Sequence, residues 1–128
     1  MLRKAKILVI DDEQDICHFT KSVLERTGKF EVAVSTDSAK GIALAKTDHP
    51  DLVILDINMP EIDGGEVAQT LHEFKSTSDI PVIFLTGLLR KEEIENNAGK
   101  IGAHTYIAKP ASPQELIDKI ESALKIRD

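Results

Sequence analysis

The chain has little that would build a membrane, nucleic-acid or disulfide-stapled protein. A single cysteine, Cys17, cannot form an internal disulfide, which makes a reducing, cytoplasmic setting the default. The apolar runs are strand length, far below the ~20 residues that a membrane-spanning helix needs. Met1-Leu2-Arg3-Lys4-Ala5 leads directly into an apolar run, so no signal peptide is expected. The net charge is −6 over 128 residues. Its small basic group, Arg3, Lys4 and Lys6, reads as solvation, which argues against a nucleic-acid-binding face. His18, His49, His72 and His104 are dispersed and lack the spacing of a metal-ligand set. No repeat, low-complexity tract or linker interrupts the chain, whose length suits one domain over residues 1–128.

What is present is an alternation of strand-like runs with helix-period segments, the pattern of βαβ units around a parallel sheet. Ile7-Leu8-Val9-Ile10 is the first predicted strand. The next segment sets Ile16, Phe19, Val23 and Leu24 on one helix face, with Cys17 as small core filler and Gly28 as a left-handed cap. Phe30 to Val34 alternates as a half-exposed edge strand should. A helix containing Ile42, Ala43 and Ala45 stops at His49-Pro50. Leu52-Val53-Ile54-Leu55 and Val82-Ile83-Phe84-Leu85 are continuous apolar runs, as expected of central strands covered on both faces. A helix over about Gly65 to Phe74 lies between them. A fourth helix is predicted over Arg90 to Lys100, with Ile94, Ala98 and Ile101 as its apolar stripe. Thr105-Tyr106-Ile107 is a short last strand. Ser112-Pro113-Gln114-Glu115 then reads as a capping box opening a helix that buries Leu116, Ile117, Ile120 and Leu124. The result is an α/β fold of five strands alternating with five helices.

Four strand ends carry chemistry: Ile10-Asp11-Asp12, Leu55-Asp56, Leu85-Thr86-Gly87 and Ala108-Lys109-Pro110. In an open parallel sheet, ligands bind beyond the carboxyl ends of the strands, where the strand order reverses. If the first and third strands are neighbours, Asp11, Asp12 and Asp56 converge. Two like charges about 4 Å apart repel by roughly 4 kcal/mol near a protein surface, so the three need a cation or a raised pKa. An all-oxygen set favours Mg²⁺ over zinc or copper. A carboxylate beside a metal can attack phosphorus and form an acyl phosphate, and Asp56 is the best placed to do so. Thr86 offers a hydroxyl and Lys109 a point charge to the phosphoryl oxygens, while Gly87 leaves room and a backbone N–H.

Each residue has a plainer reading. Asp11 or Asp12 alone could cap the first helix, and Asp56 could open the turn Asn58-Met59-Pro60. Thr86 could be a turn residue, and Lys109 a solvated charge or the start of a loop. Taken jointly these readings need separate explanations for residues that meet on one edge.

The chain resembles the receiver domains of two-component response regulators over essentially its whole length. The resemblance is carried by Asp11-Asp12 after the first strand, by Asp56-Ile57-Asn58-Met59-Pro60-Glu61-Ile62-Asp63-Gly64 after the third, by Thr86-Gly87 after the fourth and by Tyr106-Ile107-Ala108-Lys109-Pro110 at the fifth. It implies a three-layer, doubly wound, flavodoxin-like sheet of strand order 2-1-3-4-5. It implies that Asp56 accepts a phosphoryl group from a sensor histidine kinase or a histidine phosphotransfer protein. Asp12 and Asp56 would hold Mg²⁺ with the Asn58 backbone carbonyl, and Asp11 would act through water. Lys109 would pair with the phosphoryl oxygens, and its bond to Pro110 would be cis. Thr86 and Tyr106 would form a switch pair that shifts the surface of the fourth helix, fifth strand and fifth helix, and Tyr106 could otherwise be a partly exposed strand aromatic. The resemblance also allows an unidentified output domain or downstream protein and a phosphorylation-dependent homodimer.

Some positions depart from the common pattern. Gly87 stands where alanine is more usual, and His104-Thr105 where many receivers carry an acidic pair. The segment near Asn96 to Ile101 is slightly longer than common. Leu88 and Leu89 either cover the core or present an apolar contact. Two other functions compete with the switch. A phosphohydrolase with an aspartyl nucleophile would carry that residue on its first strand with a second Asp two residues on, whereas Asn58 stands two after Asp56. An unphosphorylated receiver used only for binding is disfavoured by the intact set of acidic, hydroxyl and ammonium groups. Ending at Lys125-Ile126-Arg127-Asp128, the chain suits either a stand-alone receiver or one cut from a longer regulator.

Overall fold

The computed structural model describes residues 4–87, 100–101 and 104–124. Six strands form one sheet: β1 (Ala5–Ile10), β2 (Phe30–Ser35), β3 (Leu52–Asp56), β4 (Val82–Thr86), β5 (Lys100–Ile101) and β6 (His104–Ala108). Four helices are described: α1 (Gln14–Glu25), α2 (Ser38–Asp48), α3 (Gly64–Glu73) and α4 (Pro113–Leu124). The sheet order is β2-β1-β3-β4-β6-β5. The five longer strands are parallel and follow the expected order 2-1-3-4-5, with β6 as the fifth parallel strand. The two-residue β5 adds an antiparallel edge.

Side-chain alternation along the central strands builds two cores, one on each face. Ile7, Val9, Leu52, Ile54, Ile83, Leu85 and Ile107 pack on one face against Leu24 of α1 and Leu116 and Ile120 of α4. Leu8, Ile10, Val53, Leu55 and Phe84 pack on the other against Ala45 of α2 and Val67 and Leu71 of α3. Every residue of β3 is buried, as its unbroken apolar run requires. Gly41 lets α2 close on β1, since a Cβ there would stand 2.6 Å from Ile10 Cδ1.

The capping box before α4 forms as read: Glu115 N–H donates to Ser112 Oγ and Ser112 N–H to Glu115 Oε1, each at 3.1 Å. Gly28 is left-handed, though α1 itself ends three residues earlier, at Glu25. Two expectations are corrected. Phe19 is 44% exposed, because the buried stripe of α1 runs through Cys17, Thr20 and Leu24, one step around the helix. The predicted fourth helix does not include Lys100 or reach Ile101, because their backbone pairs with Thr105 and His104. The rest of that helix, residues 90–99, and Leu88 and Leu89 lie outside the described residues.

Candidate functional site

Strand register alone brings the singled-out residues level. Ile10 pairs with Leu55, so Asp11 and Asp56 follow on adjacent strands at one height. Asp56 pairs with Leu85, and Thr86 with Ala108, so Thr86 and Lys109 stand one step beyond on the next two strands. The carboxylates of Asp11, Asp12 and Asp56 each offer an oxygen, all within 4.8 Å of one another. Asp11 and Asp56 are buried and Asp12 is exposed.

Lys109 is the counter-charge. Its side chain is only 13% exposed, which removes the reading as a solvated surface lysine. Nζ lies 2.8 Å from Glu13 Oε1, 3.0 Å from Asp11 Oδ2 and 3.4 Å from Asp56 Oδ1. The Lys109 backbone N–H donates to the Thr86 carbonyl at 2.8 Å, which ties the two strand ends together. The Lys109-Pro110 peptide bond is cis.

Asp11 is not the cap of α1, since the N-cap is Glu13, but it shapes the turn that leads there and also faces the cluster. Its Oδ1 accepts the Glu13 backbone N–H at 2.9 Å, shaping the turn into α1. Its buried Oδ2 faces Lys109 but completes no hydrogen bond among the described residues. Behind it, the Cys17 thiol donates to the Asp11 carbonyl at 3.3 Å, and the Asp11 N–H donates to the Ser35 carbonyl at the end of β2.

Burial governs the protonation of the cluster. Desolvation and then the Asp11 charge push the Asp56 carboxyl up to about 6, against the opposing pull of Lys109. Asp11 is likewise raised by burial, in spite of its bond from Glu13 N–H and the nearby ammonium. Burial alone would lower Lys109, but its bond to Glu13 and the Asp11 and Asp56 carboxylates beside it hold it above its ordinary value. Burial raises the Cys17 thiol to about 11, keeping it a neutral packing group.

The donor set suits a hard divalent cation. It is all oxygen, has an excess of negative charge over the single ammonium, and contains a buried carboxylate oxygen without a completed hydrogen bond. Asn58 lies in the loop after β3 with its side chain exposed, and none of the described backbone N–H groups donates to its carbonyl.

A family model for the response regulator receiver domain matches residues 7–121. The chain belongs to the response regulator receiver domain family. It is 39% identical over 125 residues to a probable transcriptional regulator, ycf27, of Porphyridium aerugineum, covering 97% of this chain and 50% of that protein. It is 36% identical over 121 residues to the alkaline phosphatase synthesis transcriptional regulatory protein PhoP of Bacillus subtilis, covering 94% and 48%. The chain thus spans about half the length of the curated relatives it matches. Among solved structures, a CheY-like receiver domain protein from Methanospirillum hungatei superposes with a TM-score of 0.80 at 30% identity, covering 96% and 95% of the two chains. The chemotaxis protein CheY4 of Vibrio cholerae does so with 0.81 at 26%, covering 94% and 99%.

Other receiver positions vary in how closely the structure constrains them. Thr86 is fully buried at the end of β4. Tyr106 is half-buried, its ring stacked on Phe84 with centroids 5.2 Å apart, and His104 stands edge-on to both rings. His104 therefore builds an aromatic cluster where an acidic residue is more usual. Gly87 is exposed, and a Cβ there would meet no atom within 4 Å. Gly87→Ala is accordingly expected to fold with a stability within about 0.5 kcal/mol of the parent, as a denaturant midpoint would show.

Two residues with evident roles were missed in the sequence. Glu13 was passed over beside the Asp11-Asp12 pair, although it gives Lys109 its shortest contact. Gly64 closes the run from Asp56, and the sequence reading assigns it no role. A Cβ on it would collide with the Asp56 carbonyl oxygen and stand 2.7 Å from Ile57 Cα. The signal for Gly64 was available, because Asp63 and Glu66 have capping-box spacing and place the glycine in the first turn after the strand end. That box forms in full.

Proposed function

We propose that this receiver domain works as a phosphorylation switch with Asp56 as its phospho-acceptor. The observation that carries the reading is a buried carboxylate at a strand end, level with a second carboxylate and 3.4 Å from a largely buried ammonium. An Asp56 carboxylate oxygen would attack phosphorus, and the bond from phosphorus to the donor's nitrogen or oxygen would break, its electron pair leaving with the donor. A sensor histidine kinase or a histidine phosphotransfer protein is the expected physiological donor.

Asp12, Asp56 and the Asn58 carbonyl would hold Mg²⁺, with Asp11 acting through water. When bound, the ion would supply positive charge against the carboxylates and the phosphoryl oxygens. Lys109 would balance charge on the opposite side and orient the transferred group. The Thr86 hydroxyl would bond a phosphoryl oxygen once it arrives, and the Tyr106 ring, lying on β6 beside β4, would respond by repacking against Phe84 and His104. The close to two negative charges added at Asp56 are large enough to bias such a two-state element.

Incubation with Mg²⁺ and acetyl phosphate tests the reading directly. A mass increase of one phosphoryl group is expected, absent in Asp56→Ala and absent with a chelator. An equal increase in Asp56→Ala would move the acceptor elsewhere. Rapid, repeated turnover of unrelated phosphate esters would instead favour a phosphohydrolase.

A further inference from the structure

We propose that Glu13 is a displaceable latch on Lys109, competing for the ammonium until a phosphoryl group on Asp56 takes its place. The inference rests on the receiver reading of Asp56 and deepens it by naming a positioning residue.

Glu13 occupies the N-cap position of α1, where a side chain usually turns back to bond the first free N–H groups of the helix. Its side chain makes no such bond. The Glu13 carbonyl receives Ile16 and Cys17 N–H instead, and the carboxylate reaches 96 residues along the chain to Lys109. At 2.8 Å this is the shortest of the three contacts to Nζ, and it is an aligned hydrogen bond, unlike the contact to Asp11 Oδ2. Asp56 is the most distant of the three, so the ammonium is held off the acceptor and toward the turn after β1.

The three partners differ in their freedom to move. Asp11 is 1% exposed and Asp56 lies at the buried end of β3. The Glu13 side chain is 59% exposed, so its carboxylate can turn into water at little cost. Its backbone stays anchored, since the Glu13 N–H donates to Asp11 Oδ1. An ion pair with one partner in water is weak, and a phosphoryl group carries more charge than a carboxylate. Glu13 is therefore the partner that yields when an oxyanion appears at Asp56.

The test uses the full chain with Mg²⁺ and beryllofluoride, with affinity read by fluorine NMR. It compares Glu13→Gln, which keeps the length and loses the charge, with Glu13→Asp, which keeps the charge and is one methylene shorter. Both variants are expected to bind beryllofluoride about twofold to fivefold more tightly than the parent, the scale set by a half-exposed pair. The Lys109 Nζ resonance should shift in both before any beryllofluoride is added. Parent-like affinity in Glu13→Asp, or an unmoved Nζ resonance in either variant, would overturn the latch and leave the receiver reading intact. A parent chain that takes up no beryllofluoride would overturn both.

Discussion

In metal-free buffer at pH 8, Asp56→Asn should unfold at a higher denaturant concentration than the parent chain, even though it removes the proposed acceptor. The cause is the imbalance of charge at the strand ends. Asp11 and Asp56 are both buried, and one ammonium serves them together with Glu13. Asp56 is pushed up from 3.8 to about 6, mainly by burial. The folded chain therefore holds this proton more tightly than the unfolded chain does. Between about pH 4 and 6 the unfolded state has lost the proton that the folded state retains, so stability falls as pH rises through that window. Above it the penalty is complete and amounts to at most about 3 kcal/mol. Asparagine has nearly the same shape and carries no charge, and Lys109 keeps Asp11 and Glu13 as partners.

The expected result is a gain of about 1–3 kcal/mol at pH 8 that shrinks steadily toward pH 4, measured as paired denaturant titrations across the range. Mg²⁺ should narrow the gap from the other side. Binding to the folded state alone adds about 2.7 kcal/mol at a hundredfold excess over Kd, and the parent would bind it better than a variant lacking one of the proposed ligands. A variant less stable than the parent at pH 8 without metal would mean that Lys109 fully compensates Asp56.

The same burial explains how much of this site could be read in the sequence. Strands β3 and β4 announced themselves as unbroken apolar runs because both of their faces are covered. Once those runs were located, a parallel sheet put Asp11, Asp56, Thr86 and Lys109 at the same end of their strands, but only the strand order implied by the family resemblance made Asp11 and Asp56 neighbours. Phe19 was misplaced because helical periodicity identifies a stripe only to within one step around the helix, and α1 turns Thr20 inward instead. Lys100 and Ile101 were misread because isoleucines at helical spacing also suit a short strand, and the choice is made by pairing with β6. Glu13 was invisible for a different reason. Its partner is 96 residues away, and an exposed glutamate after two aspartates is ordinary until the end of β6 brings Lys109 to it.

Gly64→Ala should be the most damaging single methyl that can be added near the site. Helix propensity alone predicts the reverse, because alanine in a helix interior is favoured over glycine by about 1 kcal/mol. Close approach of the backbone decides the outcome. Gly64 is the first residue of α3, and its N–H donates to the Ile57 carbonyl at 2.8 Å. A Cβ there would overlap the Asp56 carbonyl oxygen and stand 2.7 Å from Ile57 Cα and 2.9 Å from the Asp56 carbonyl carbon. These are backbone atoms, and no rotamer change removes them. The start of α3 is also pinned by the reciprocal Asp63–Glu66 cap and by Ser38 Oγ, which donates to the Ile62 carbonyl at 2.8 Å. The strain must then pass into the segment that carries Asp56 and Asn58. A loss of about 1–3 kcal/mol is expected from overpacking, read from the denaturant midpoint. A second effect separates strain at the site from general destabilisation: under conditions where Gly64→Ala remains folded, its Mg²⁺ and beryllofluoride affinities should both fall. Gly65→Ala is the matched control, because its Cβ would meet only the Asp63 carboxylate at 3.3 Å, a side chain able to give way. Equal behaviour of the two alanine variants would show that α3 can lift from the strand end without disturbing Asp56.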